Sequence, residues 1–262
     1  MNKLRNIYYE ENNNYLLFGD CLELLKDIPD KSIDMVLCDL PYGRTMAKWD
    51  TNIDLELLWN IYKRIIKPDG NIILTCIQPF TSILILSNKE MFRYEMIWEK
   101  SKATGYADVK YRPMRKHENI LCFSYSSPVY LSKIRGKYYP QGLKEINKKR
   151  TITKGKNTEI MSKYGNAHEN REYIQKYTNY PNSILKFSSE GKCVHPTQKP
   201  VALFEYLIKT YTNEDDLVLD NAAGSCTTAV ACKNLKRNWI CMEKEEKYCE
   251  ISKKRIENYN KL

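Results

Sequence analysis

Asp39 closes an apolar run, VLCD, and is followed directly by Leu40-Pro41-Tyr42-Gly43. A strand ending in Asp-x-Pro-Tyr sets a carboxylate, a rigid turn and an aromatic face at the carboxyl edge of a sheet. Open α/β sheets bind ligands at that edge. These groups suit an exocyclic amine on a flat heterocycle. Such an amine is a poor nucleophile because its lone pair is delocalised into the ring. Two acceptors on its two N–H bonds favour a pyramidal nitrogen with a localised lone pair. The Asp39 carboxylate and the Leu40 main-chain carbonyl can be those acceptors. Pro41 fixes the direction of that carbonyl, and the Tyr42 ring offers a stacking surface for an extruded base. Alone, the tetrapeptide is better read as an acid opening a Pro-Tyr turn.

A second constellation lies near the other end of the chain. The run LVLD ends at Asp220, a loop of small residues (Asn221, Ala222, Ala223, Gly224, Ser225) leads into a helical pattern, and the next apolar run ends at Glu243, 23 positions beyond Asp220. That is the spacing of a nucleotide-like cofactor site. Small residues let the cofactor approach the backbone at a helix N-terminus, and an acid on the second strand accepts from ribose hydroxyls. The loop lacks the GxGxxG pattern, with Cys226 where a glycine is expected, and it has no Gly-Lys-Ser/Thr of a phosphate loop. A positive φ or a close cofactor approach at Cys226 would weaken binding.

The elements that must position these groups are legible as short β-like runs alternating with helical ones, as in parallel α/β domains. Strands are expected at 33–39, 71–76, 94–100, 119–125, 217–220 and 239–244. Helices are expected at 53–67, stopped by Pro68-Asp69-Gly70, and at 78–87, from about 201, from 225 to 235, and at the end of the chain. Between 126 and 192 the periodicity dissolves into turn formers and lysines. Residues 127–192 hold 14 Lys+Arg against 5 Asp+Glu, nearly the whole net charge of +10, and seven tyrosines. A basic, Tyr-rich insertion suits a polyanion, with charges for phosphates and rings for bases or sugars, although a solvated surface insertion has the same composition.

Composition narrows the remaining classes. With 42% hydrophobic and 28% charged residues, the chain reads as soluble and globular. It has no apolar run of membrane-spanning length and no signal-peptide core, so a cytoplasmic location is expected. Nine cysteines without a CxxC pair suggest reduced thiols and no zinc ribbon or other metal site. No Pro-Cys dipeptide occurs, which disfavours cytosine C5 methylation through a cysteine nucleophile.

Taken together, the sequence resembles the amino-methylating DNA methyltransferases that use S-adenosylmethionine. CDLPYG is similar to their Asp/Asn/Ser-Pro-Pro-Tyr motif, with Leu40 for the first proline, and LDNAAGS to their cofactor loop. HPTQKP (195–200) is similar to the segment that closes over the methionine end of the cofactor, and Gly19-Asp20 to a pair lining the cofactor site. The order of motifs is the permuted one of the β group. WDTNIDLELLW, QPFTSILILSN, FRYEMIWEKS and RKHENILCF resemble the bacterial and phage adenine methylases.

The resemblance implies a Rossmann-like α/β fold, a mostly parallel sheet with helices on both faces. Residues 1–126 and 193–262 would form one methyltransferase domain, and 127–192 an inserted target-recognition region. It implies methyl transfer from S-adenosylmethionine to adenine N6 in double-stranded DNA by base flipping. Asp39, Leu40, Pro41 and Tyr42 would be catalytic. Asp20, His195, Thr197, Lys199, Asp220, Ala222, Gly224, Ser225 and Glu243 would bind the cofactor. Cytosine N4 methylation, and a DNA-binding homologue impaired at the GSCTT loop, are the alternatives. A restriction endonuclease partner and a homodimer are left open. Trp49 is the tryptophan expected nearest the substrate.

Overall fold

The computed structural model describes residues 4–41, 53–126, 135–152, 171–191, 194–195 and 198–258. Tyr42, Trp49 and Thr197 lie outside these described residues.

The chain opens with a hairpin, β1 (Ile7–Glu11) and β2 (Asn14–Phe18). Asn12 and Asn13 at its turn have φ of 51° and 62°. Two consecutive left-handed residues are the requirement of a tight hairpin turn, and asparagine tolerates that conformation well. This hairpin is absent from the sequence-based expectation. A short helix α1 (Cys21–Leu24) leads to β3 (Ile33–Asp39), α2 (Leu55–Ile65), β4 (Ile66–Cys76), α3 (Phe80–Ser87), β5 (Phe92–Thr104) and β6 (Arg115–Ser124). Then come β7 (Lys144–Ile152), β8 (Arg171–Thr178), β9 (Ile184–Phe187), α4 (Val201–Tyr211), β10 (Leu217–Asp220), α5 (Thr227–Leu235), β11 (Asn238–Glu243) and α6 (Glu246–Asn258).

Nine strands form one sheet in the order β1-β2-β11-β10-β3-β4-β6-β5-β9. From β2 to β4 every pairing is parallel, and β6 is antiparallel to both β4 and β5. The central strands are apolar on both faces because helices cover both. In β3, Val36 and Cys38 face a core completed by Trp59 and Tyr62 of α2 and Leu84 of α3. Met35 and Leu37 face the opposite core, with Leu203 and Leu207 of α4, Ala229 of α5 and Ile256 of α6. The expected architecture is therefore present. No described helix is long and apolar enough to cross a membrane.

Three details differ from the sequence reading. Lys67-Pro68-Asp69-Gly70 is not a turn before the strand, since β4 begins at Ile66, directly after the helix. Ile33 pairs with Ile66 while Met35 pairs with Asn71, so the extra residues bulge outward. Gly70 is required there, because a Cβ would lie 2.8 Å from the Asp34 carbonyl oxygen. The bulge also brings Lys67 to Asp34, at 2.7 Å, and the same buried carboxylate accepts from Lys137 and from the Leu217 amide.

The second difference concerns the insertion. The separately packed unit spans Pro140–Asn182 and contains the antiparallel pair β7–β8, so it is narrower than 127–192. Strand β9 instead extends the main sheet beside β5, and Lys137 is bonded into the main unit at Asp34 and Asp216. Thirdly, α5 starts at Thr227, because Cys226 is left-handed, with φ 53° and ψ 46°.

Asp220 ends β10 almost wholly buried. Its Oδ2 accepts from Thr228 Oγ1 at 2.5 Å and its Oδ1 from the Ala222 amide at 3.2 Å. Burial outweighs these bonds and raises the carboxyl from 3.8 to about 6. A raised carboxyl pKa means that the folded state holds the proton more tightly than the unfolded chain. The stability it confers is full below about pH 4 and is lost as pH rises through 6. In Asp220→Asn the amide oxygen keeps the Ala222 bond and the amide nitrogen donates to Thr228 Oγ1 in the reverse sense, with no charge buried. We expect it to raise thermal stability at pH 7.5 by about 1–3 kcal/mol, with the gain shrinking toward pH 4.5. Identical melting differences at the two pH values would contradict this account.

Candidate active site

The carboxyl ends of β3, β10 and β11 open onto a cleft of about 340 Å³, within the range of small-molecule sites. Parallel strands β10 and β3 are direct neighbours, so the Asp39 turn and the Asp220 loop meet although they are far apart in sequence. Asp39, Leu40 and Pro41 line one side of the cleft, and Asp220, Ala222, Gly224, Ser225 and Glu243 the other. Asp20, His195 and Lys199 also line it. Tyr42 and Thr197 lie outside the described residues.

Asp39 is held from two directions. Its Oδ1 accepts from Thr75 Oγ1 on β4 at 2.6 Å, and its Oδ2 from Lys199 Nζ at 2.5 Å. The side chain keeps 18% of its surface open toward the cleft. Burial raises its pKa, and Lys199 opposes that rise. Lys199 is shared. Glu118 on β6 reaches it at 3.3 Å and binds Lys100 of β5 at 2.5 Å. Burial works against the Glu118 carboxylate, but Lys199 and Lys100 outweigh it and hold the pKa below the usual carboxylate range. Two carboxylates and two ammonium groups thus form a neutral cluster, which is how charges tolerate such burial.

The opposite wall is built from backbone. Glu243 accepts the Gly224 amide at 2.8 Å on one oxygen and the Glu245 amide at 2.9 Å on the other. Its carboxylate therefore ties β11 to the loop while still facing the cleft. Burial raises its pKa. Gly224 has φ of 52°, and a Cβ there would sit 3.5 Å from the His195 ring. His195 packs edge-on against Tyr248, with ring centroids 4.2 Å apart. Burial, aided by Lys199, lowers its pKa to about 4, so the imidazole is neutral at pH 7. Asp20 caps α1 by accepting the Leu22 amide at 2.8 Å, which leaves its second oxygen as a wall of the cleft.

Cys226 has the positive φ named as one condition for weaker binding, but not the close approach to the cofactor. Its side chain is fully buried in the core beside Cys241 and does not line the cleft, whereas its neighbours Ser225 and Thr227 do. The left-handed backbone carries a cost of about 1–2 kcal/mol for a non-glycine residue. The buried thiol offsets part of it.

Several residues of the site have no local motif. Thr75, Lys100 and Glu118 reach Asp39 and its partner only through strand pairing. Neither Glu118 nor Lys100 stands out in the sequence, because each lies in a charged stretch, RKHEN and WEKSK. Asn221 is buried beside the cleft, accepts from Tyr62 Oη at 2.5 Å, and leaves its Nδ2 without a protein partner. Arg255 of α6 donates to the Ser225 carbonyl at 2.9 Å and to Thr227 Oγ1 at 3.0 Å, fixing the loop from behind.

Comparison with known proteins shows the family. Residues 33–254 match the N6/N4 DNA methylase family. The chain is 26% identical to type II methyltransferase M2.LlaDCHI of Lactococcus lactis subsp. cremoris, over 95% of this chain and 91% of that one. It is 24% identical to DNA adenine methyltransferase YhdJ of Escherichia coli, over 92% and 82% of the two chains. Among solved structures, the M1.HpyAVI–SAM complex superposes with a TM-score of 0.58 at 26% identity, covering 92% of this chain and 98% of that one. The PvuII cytosine-N4 methyltransferase shares the fold, with a TM-score of 0.66 at 18% identity over 98% and 94% of the chains. The chain belongs to the DNA methylase family and is an S-adenosylmethionine-dependent DNA methyltransferase.

Proposed function

We propose that this methyltransferase acts on the N6 amine of adenine in double-stranded DNA, at a specific site, with the target base turned out of the duplex into the cleft. The observation that carries the reading is the position of Asp39: a partly open carboxylate at the strand edge, oriented by Thr75 and Lys199 and aimed into the cleft that the cofactor loop completes.

The donor set fits S-adenosylmethionine. Glu243 faces the cleft as the acceptor for ribose hydroxyls. Asp20, and Asn221 through its unpartnered amide, supply further polar contacts. The neutral His195 and the glycine at 224 leave an uncharged wall beside the loop. When bound, the cofactor supplies an electrophilic methyl group on a sulfonium.

The chain's own residues do the rest. Asp39 accepts one N–H of the target amine and the Leu40 carbonyl the other, which localises the nitrogen lone pair toward the methyl. Tyr42 stacks on the turned-out base. No strong base is needed, because the amine gains acidity once it is methylated and cationic, and its proton leaves afterwards. Lys199 opposes the protonation that burial favours at Asp39, and Glu118 shares that ammonium so that it does not saturate the carboxylate. Aspartate at position 39, where the N4 enzymes favour serine, supports adenine over cytosine. The basic 127–192 segment would read the recognition sequence. The type II names of the relatives support a companion restriction endonuclease with the same site.

Three outcomes test this reading. Expression in a methylation-free host, followed by single-molecule sequencing, should map N6-methyladenine at one recurring sequence. N4-methylcytosine there would favour the other amine. Asp39→Ala should lower methyl transfer by about 10²–10⁴-fold while calorimetric binding of S-adenosylmethionine stays at the wild-type level. Undiminished transfer would remove Asp39 from the mechanism. Cys226→Gly, which restores the common loop residue, should leave cofactor affinity unchanged because the side chain faces the core. A large gain in affinity would show that the thiol disturbs the site.

A further inference from the structure

The β5–β6 hairpin extends well past the sheet edge that carries the cleft. Asp39 pairs with Thr75, and Thr75 with Ile120 on β6. Strand β4 ends one residue later, where Cys76 pairs with Asn119, yet β5 and β6 continue to the pair Thr104–Arg115. Five residues from Ile120 to Arg115 reach about 17 Å beyond the catalytic row. A duplex presenting a turned-out base to Asp39 must lie over this same edge, and a major groove is about 12 Å wide and 8.5 Å deep. The overhang is long enough to lie alongside it.

The tip of the overhang is built rather than slack. Gly105 has φ of 94°, and a turn at Tyr106–Asp108 follows, with the Val109, Tyr111 and Arg112 amides donating to carbonyls at 106 and 108. Arg112 also pairs with Asp108. This ordered turn holds Tyr106 78% and Tyr111 89% exposed. Burial therefore does not account for either ring. Residues 101–116 carry five Lys+Arg against one Asp+Glu, and Lys102, Lys110 and Arg112 are exposed. Aromatic rings interleaved with exposed cations are the composition of a nucleic-acid surface.

We propose that this hairpin is a second duplex-binding surface, separate from the 127–192 segment, which grips the DNA beside the target base through Lys102, Lys110 and the Tyr111 ring. The proposal rests on the DNA-adenine reading of the cleft. It also gives the hairpin's root a role. Lys100 and Glu118, at the base of the overhang, belong to the cluster around Asp39, so duplex seated on the tip is held by the same two strands that orient the catalytic carboxylate.

The test uses the full chain and a labelled duplex carrying the mapped site, with anisotropy followed across potassium chloride concentrations. Lys102→Ala/Lys110→Ala should flatten the slope of log K against log salt by roughly 1.8, near 0.9 for each lost phosphate contact. It should raise KM for DNA several-fold with kcat, melting temperature and S-adenosylmethionine affinity unchanged. Tyr111→Ala should weaken duplex binding and Tyr111→Phe restore it, as stacking requires. A double-lysine variant with the wild-type slope and KM overturns the proposal. So does one that keeps DNA affinity but shifts sedimentation, which would make the hairpin a self-association surface. Anisotropy reads duplex binding apart from methyl transfer, so a wild-type chain that binds DNA without transferring methyl counts against the reading of the cleft, while the double-lysine slope still decides the hairpin.

Discussion

A carboxylate that must stay ionised inside a protein dictates what surrounds it, and Asp39 sets that demand here. Burial favours its protonated form, which would donate a hydrogen bond where the proposed chemistry needs an acceptor. Lys199 opposes that shift, but a lone lysine would compete with the substrate for the carboxylate. Glu118 draws part of that ammonium away, and Lys100 balances Glu118 in turn. Each partner comes from a different element, so the cluster exists only when β3, β5, β6 and the residues before α4 are all in register.

The cofactor side is held differently, by main-chain amides and a few buried carboxylates. Glu243 and Asp220 each accept from loop amides, and Arg255 grips the loop from behind. Backbone donors move little, so the wall facing the cofactor is preorganised. The left-handed residues Gly224 and Cys226 give the loop its curvature. At Cys226 an ordinary side chain is accepted because it turns into the core and is buried there.

Legibility in the sequence followed the range of the interactions. Asp39, the small-residue loop and the strand-end Glu243 sit in short motifs whose local geometry is their function, so they could be read directly. The central strands were visible because parallel pairing buries both faces and leaves unbroken apolar runs. The Thr75 contact depends on β4 pairing beside β3, and the Lys100 and Glu118 contacts on β6 running antiparallel between β4 and β5; no local pattern encodes those neighbours. The Asn12-Asn13 turn was hidden because three consecutive asparagines read as loop until a strand pair closes on them. The bulge at Lys67–Gly70 was hidden for the converse reason: Pro-Asp-Gly is ordinary turn chemistry, here used within a strand. The edges of the insertion were blurred because β9, only four residues long, gains its strand identity from pairing with β5.

Strand β10 occupies the middle of the sheet although it follows β3 by well over a hundred residues of chain. During synthesis, β3 therefore emerges with one edge of unpaired backbone N–H and C=O groups and no neighbour on that side. The slot stays open until the last quarter of the polypeptide arrives to fill it. Assembly cannot be sequential from the N-terminus. An enzyme arranged this way acquires its cofactor wall and its central strand in a single late event, so partly made chains carry an unprotected sheet edge and no catalytic capacity.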